Sequence, residues 1–436
     1  MLATDDTRSA SRLELFFDLA YVLAIAQLAS RLGSDMSWSA AAAFAGLFTV
    51  VWWSWVTPTV YANRFANNDL LYRLTKLAIM GAVVVMAGSA ATATTTDTNL
   101  FAGGYLATQA LLVGLYVRAW RHVQVARPTM TIYIACTVAG IGAWAASLPI
   151  GGSGKYALWA VGIAVEALAP VLASRYGSNV PVHVEHLPER FGLLVMLVLG
   201  ESIAAVATGL HEAHWQIPSL LPAGCGFVLA AAAWWLYFDL GEETAGGHLQ
   251  DRRNPQSTGT VDRYIYGHLP LTLGLAMLGV GIEQLVLHPG AGLSPMGRWA
   301  VTVGLATFLL GLMFVLAGTA HSWRAVWPWP AAALPCVLVI GVVSQRSPVT
   351  AAVLQTSAAC LVVIAGLYKR SRSGQPTDRT QRTKSGAIPM DLPTLGELGE
   401  WSRSSNPRLR PAPFVPARGP QVRGPVGVVQ PSKRPR

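Results

Sequence analysis

The stretch RLELFFDLAYVLAIAQLA, Arg12–Ala29, is an apolar run of membrane length that opens with three charges, Arg12, Glu14 and Asp18. A helix crossing a bilayer needs about 20 mostly apolar residues. Arg31, Leu32 and Gly33 follow, with no small-residue cleavage site, so the run reads as a retained first helix and not a signal peptide. An ionised side chain at the centre of such a helix costs at least ~2.5–3.5 kcal/mol. Each of these charges therefore lies at the water boundary or has a task inside. Glu14 and Asp18 are four residues apart and share one helix face. Glu14 reads as an acid favoured by the helix N-terminus and neutralised by Arg12. Asp18, surrounded by Phe16, Phe17, Leu19 and Tyr21, is expected to face a polar interior.

The rest of the chain has the same character. Of 436 residues, 52% are hydrophobic and 12% charged, about half the charge of a soluble domain. The 42 glycines and 15 tryptophans suit packed membrane helices and their interfacial belts. Apolar runs of spanning length fall near 13–31, 39–59, 71–91, 100–118, 129–149, 156–174, 190–210, 220–240, 265–287, 299–319, 325–343 and 349–368. The eleventh is the weakest, because WPWPAAALP puts Pro328, Pro330 and Pro335 in its first half. Proline removes helix hydrogen bonds, so this segment should be kinked or start late. The expected fold is all-α, a polytopic transmembrane bundle of about 12 helices.

Loop charges orient the bundle. With this many spans, fourteen Lys and Arg of residues 1–368 fall on the side holding the N-terminus, and four on the other. By the positive-inside bias, both termini are expected in the cytoplasm and the protein in a cytoplasmic membrane. The formal net charge of +10 belongs to the tail alone: residues 1–368 carry 18 basic and 18 acidic groups, residues 369–436 carry 14 and 4. Residues 371–436, rich in Pro, Arg, Gly and Ser, are expected to be disordered, with contact to anionic lipid as their functional option. No nucleic-acid-binding core is implied. LPTLGELGEW, Leu392–Trp401, could form one amphipathic turn.

The order of motifs suggests a duplication. Glu14 opens ELFFDLAYVLAIAQLA, and Glu189 opens ERFGLLVMLVLGESIAAVA. WWSW at Trp52 matches WWLY at Trp234 in the next helix, and Tyr72 and Tyr266 begin similar runs in the one after. Residues 1–180 and 181–370 are therefore expected to be two six-helix repeats of one topology, related by an axis along the membrane normal.

Intramembrane ionisable groups are the candidates for function. Glu201, in LVMLVLGESIAAVATG, falls near mid-bilayer with no cation one turn away. Glu166, in AVGIAVEALAP, is also deep, and Pro170 frees its carbonyl from the helix bond. Glu283 sits beside Gln284 in the outer third of the ninth helix. With Asp18 these form the expected ion or proton pathway, and Arg12, Glu14, Glu189, Arg190 and His268 are its expected partners at the cytoplasmic end. His268 is expected to be interfacial and satisfied. No P-loop, G-x-S-x-G or H-E-x-x-H is present, so no catalytic residue and no cofactor are inferred. The HVEH at His183–His186 reads as a solvated loop. Cys136, Cys225, Cys336 and Cys360 lie inside apolar runs without metal spacing, so neither a metal site nor a disulfide is inferred.

The motifs at 14–29, 189–203 (ERFGLLVMLVLGESI) and 266–283 (YGHLPLTLGLAMLGVGIE) resemble, in order and spacing, the bacterial low-temperature-requirement A (LtrA) family, over about residues 10–368. The resemblance implies a multi-pass bacterial membrane protein and brings no settled biochemical activity. The start of the first helix is also similar to the Arg-x-x-x-Phe-Ser-Asp opening of a family of six-helix-repeat potassium channels. Arg12, Phe16 and Asp18 match it, Phe17 replaces the serine, and Leu193 stands in the second half where Asp18 stands in the first. The sequence thus points to a transporter or channel for a small ion or proton, with oligomers allowed. Two other classes stay open: a membrane-embedded enzyme on an apolar substrate using Glu201 and His268, and a structural or signalling membrane protein linked to growth in the cold.

Overall fold

Lipid offers the backbone no hydrogen bonds, so a chain this apolar satisfies its amides within helices. The computed structural model describes residues 12–65, 69–178, 186–239, 257–290, 293–319, 328–344 and 347–372. Among them there are twelve α-helices and no strand. They are α1 (Arg12–Ser34), α2 (Trp38–Arg64), α3 (Leu70–Ala90), α4 (Thr98–His122), α5 (Arg127–Ser147) and α6 (Ser153–Tyr176), then α7 (His186–Glu212), α8 (Ile217–Trp234), α9 (Ser257–Leu287), α10 (Pro295–Thr319), α11 (Pro328–Val343) and α12 (Pro348–Arg372). A single π-turn, Trp235–Asp239, extends α8. Eleven helical segments are long and apolar enough to cross a membrane. The exception is α11, whose 16 residues span only about 24 Å, as its prolines foretold. The basic tail and the first three residues of HVEH lie outside the described residues.

Local chemistry sets the helix starts. The Ser37 hydroxyl accepts the Ala40 amide at 3.1 Å and the Asp69 carboxylate accepts the Tyr72 amide at 3.0 Å, capping α2 and α3. Proline opens α10, α11 and α12, where its missing N–H costs nothing. Inside α2, Pro58 releases the carbonyl of Ser54, and the Tyr21 hydroxyl of α1 donates to it at 2.8 Å. An interior proline is thus turned into a contact between helices.

Every residue of α2 from Val50 to Asn63 is buried. A helix apolar all round is one wrapped on all sides, and α2 is indeed packed by α1, α4, α6, α7 and α9. The tightest pair is α9 with α10, and glycines explain the approach. A methyl group on Gly274 would lie 2.6 Å from the Gly304 carbonyl, one on Gly304 2.6 Å from the Leu278 amide, and one on Gly311 2.5 Å from Leu271 Cα. Small residues let membrane helices touch along their backbones.

Neighbour relations run in parallel through the chain. Helix α1 packs on α2 and α3, α3 on α4, α4 on α5 and α5 on α6. Helix α7 packs on α8 and α9, α9 on α10, α10 on α11 and α11 on α12. Between the two sets, α1 and α2 meet α7 and α9, and α6 meets α9.

Candidate functional site

Two buried polar centres flank α2, and each takes an indole N–H from its WWSW motif. The first is ionic. Asp18 of α1 is 1% exposed, yet its Oδ1 accepts both the Arg190 guanidinium of α7 at 2.8 Å and the Trp55 indole at 2.8 Å. Arg190 reaches Asp18 because residues 186–189 make the first turn of α7 and leave it about one turn in, level with Asp18. Its Nη2 also lies 3.5 Å from the Glu14 carbonyl oxygen. A second cation, Lys76 of α3, is 1% exposed, with its Nζ 3.7 Å from the centre of the Phe17 ring. It interacts electrostatically with Glu14, Asp18 and Arg190. Two acids and two cations from three helices therefore form one compact cluster. Asp18 Oδ2, Lys76 Nζ and Arg190 Nη1 have no hydrogen-bond partner among the described residues.

The second centre has no cation. Glu166 of α6 is 2% exposed, ten residues from the Tyr176 end of its helix and so near mid-membrane. Its Oε2 accepts the Trp53 indole at 3.0 Å, the Tyr105 hydroxyl at 2.6 Å and the Gln109 side-chain amide. Gln109 also donates to the Tyr105 hydroxyl at 2.8 Å. Glu166 Oε1 has no partner among the described residues, and no Lys, Arg or His among them pairs with this carboxyl. Gly140 of α5 makes the space: a methyl group there would lie 2.6 Å from Glu166 Cγ. Aromatic contacts hold Tyr105: its ring is tilted against Trp144 at 4.2 Å, and Trp144 stacks on Trp159 at 4.5 Å.

A small cavity of about 20 Å³, room for about one water molecule and partly open to solvent, lies beside this centre. Arg64 at the end of α2, Asp262 near the start of α9, Tyr133, Pro170, Trp53 and Tyr266 are among the residues that line it. Arg64 lies over the Tyr133 ring at 5.1 Å, and Trp53 and Tyr266 are stacked at 6.1 Å. The indole that forms part of the cavity wall is the one bonded to Glu166. One ring thus separates cavity from carboxylate.

The sequence matches the family described as bacterial low temperature requirement A protein (LtrA) over residues 9–367. The chain belongs to the LtrA family. It is also 29% identical over 301 residues to an uncharacterized protein of Rhizobium meliloti (strain 1021), covering 66% of this chain and 71% of that one. No solved structure matches it. The match covers all twelve helices except the last residues of α12, so this LtrA member is a multi-pass membrane protein throughout its helical part.

The other sequence candidates occupy different places in this LtrA bundle. Arg12 is exposed, and the cations facing Asp18 are Arg190 and Lys76 instead. Glu14 is buried beside that cluster, while Glu189 is exposed, 3.6 Å from the His186 ring. Glu201 does not meet Asp18. It lies eleven residues beyond Arg190 on α7, about 16 Å along the axis, and is half-buried. Its electrostatic neighbour is Glu283, which also senses Glu212. His268 is fully buried, with Tyr237 2.9 Å from Nε2, the Tyr264 carbonyl 2.6 Å from Nδ1, and the Phe191 ring tilted against it at 4.6 Å. Acid–base convergence of Glu201 with His268 finds no support in this geometry. Among the described residues no group of His, Cys, Asp and Glu could hold a metal ion.

Sequence reasoning missed Lys76, Trp53, Trp55, Tyr105 and Gln109. Lys76 stands one turn from Arg73 and so reads as a loop charge. Its one readable signal was position: six residues into α3, it is as deep as Asp18 in α1.

Proposed function

We propose that this LtrA protein moves a small ion or proton across the membrane, with Glu166 and Asp18 as its buried carboxylates. The observation that carries this is Glu166: a carboxyl near mid-membrane, supplied with three neutral donors and no cation, one ring away from a cavity. A lone carboxylate in low dielectric is costly, so its charge calls for a compensating proton or cation. Groups of this kind inside membrane helices mark ion paths and proton relays. A purely structural carboxyl needs no water-sized space beside it, and here Trp53 borders both that space and Glu166. The ionic cluster at Asp18 joins α1 and α3 to α7, and so lies where two six-helix halves would meet and rock. The parallel neighbour relations support those halves, 1–180 and 181–370. The bias of basic residues supports a cytoplasmic location for Arg64, which lines the cavity.

The test is purified protein in liposomes, under imposed K⁺, Na⁺ or H⁺ gradients. Flux of one of these species is expected, reduced at least tenfold in Glu166→Gln. Equal flux from wild type, Glu166→Gln and protein-free vesicles would overturn the reading.

A further inference from the structure

We propose that the species taken up by Glu166 is a proton, and that the Gln109 side-chain amide adjusts the site to its arrival and departure. This rests on the reading that Glu166 handles an ion, and it names that ion. Metal cations are held by several oxygen acceptors, whether carboxylates, carbonyls or water. The groups bonded to Glu166 are donors: the Trp53 indole N–H, the Tyr105 O–H and the Gln109 N–H all point at Oε2. A metal ion entering there would meet the positive ends of these bonds. It would also need room for its ligand shell. The α5 backbone presses so close that a methyl group on Gly140 would overlap the carboxyl, 2.6 Å from Cγ and 2.8 Å from Cδ. A proton needs neither acceptors nor volume.

Gln109 supplies the second half of the argument. Its Nε2 reaches both Glu166 Oε2 and the Tyr105 hydroxyl, while its Oε1 is buried without a partner. A half-turn of the amide exchanges N–H for C=O in the same place. Facing the carboxylate, the amide donates. Facing the carboxylic acid, it accepts the acid O–H, and the Tyr105 hydroxyl donates to the amide oxygen. Glu166 Oε2 thus has a hydrogen-bond partner in both protonation states with no backbone movement. The step is a simple addition: one proton arriving from water forms the Glu166 O–H bond, and the same bond breaks when the proton leaves. The titratable groups within electrostatic reach of Glu166 are Tyr105 and Tyr116 of α4 and Cys136 of α5. Helix α2 presents Trp53 to it, and Tyr266 of α9 donates to the neighbouring Ala167 carbonyl at 2.5 Å.

The experiment pairs flux with spectroscopy on the intact protein. In liposomes, dissipation of an imposed pH gradient is expected. It should be insensitive to exchanging Na⁺ for K⁺, lost at least tenfold in Glu166→Gln, and several-fold slower in Gln109→Leu. Infrared difference spectra on acidification should show the carbonyl stretch of a protonated carboxyl together with a change in a side-chain amide band. Glu166→Gln removes the first signal and Gln109→Leu the second. Glu166-dependent Na⁺ or K⁺ flux with no proton movement and no carboxyl band would overturn the proton assignment while leaving ion transport standing. Absence of any Glu166-dependent flux would overturn both.

Discussion

Removing one member of the Asp18–Arg190 pair should destabilise the bundle far more than removing both. The charges approach to 2.8 Å, with side chains 2% and 7% exposed. With charge centres about 4 Å apart and an effective dielectric near 20, their attraction is about 4 kcal/mol. Breaking a buried pair by deleting one partner costs ~3–5 kcal/mol, because the survivor is left charged and uncompensated. Asp18→Leu strands Arg190 beside Lys76, two cations in one desolvated space. Arg190→Leu leaves Asp18 with Trp55 and Lys76, so it should be the milder of the two. In Asp18→Leu/Arg190→Leu, Lys76 still has Glu14, and the cluster stays neutral. The assay is equilibrium unfolding in mixed detergent micelles, followed by tryptophan fluorescence. Each single variant should lose ~3–5 kcal/mol and the double variant under about 2, a coupling of about 4 kcal/mol or more. Additive losses, or single losses within about 0.5 kcal/mol, would refute the view that this pair holds α1 to α7.

Three further outcomes are expected. Trp53→Phe keeps the ring against Tyr266 but removes the N–H donated to Glu166. It should cost ~1.5–3 kcal/mol in the same unfolding assay if Glu166 is ionised there. Gly311→Ala puts a methyl group 2.5 Å from Leu271 Cα and should cost ~1–3 kcal/mol by overpacking, whereas Gly142→Ala, with nothing within 4 Å, should be neutral or slightly stabilising. Asp69 precedes α3, and the Arg118 guanidinium, helped by the Tyr72 amide, holds its carboxyl below the usual carboxylate range. Its stabilisation is present above the ordinary carboxylate value and is lost as pH falls through the lower native value. Unfolding midpoints across acid pH should therefore flatten in Asp69→Asn, and an unchanged acid limb would remove the effect.

Much of the architecture was legible because hydropathy and proline are local. Twelve apolar runs became twelve helices, and the run broken by Pro328, Pro330 and Pro335 became the short α11. The candidate site was only partly legible. Depth along a helix singled out Asp18, Glu166 and Glu201 alike, yet depth does not say which way a side chain points. Glu166 and Asp18 turn inward to indole donors, and Glu201 lies half-buried near Glu283. The apolar run begins just before His268, but α9 begins at Ser257, and the full burial of His268 comes from the helices packed around it.

By itself the sequence determined the medium: a chain this poor in charge and this apolar must hide its amides in helices. Only the tertiary structure decided which charges meet, joining Asp18 to Arg190 across 172 residues and bringing Lys76 beside them. The reason is that hydrophobicity is summed along one helix, whereas ion pairing depends on how helices are rotated against each other. That rotation is fixed by close contacts, such as Gly304 on Leu278, which no single segment contains.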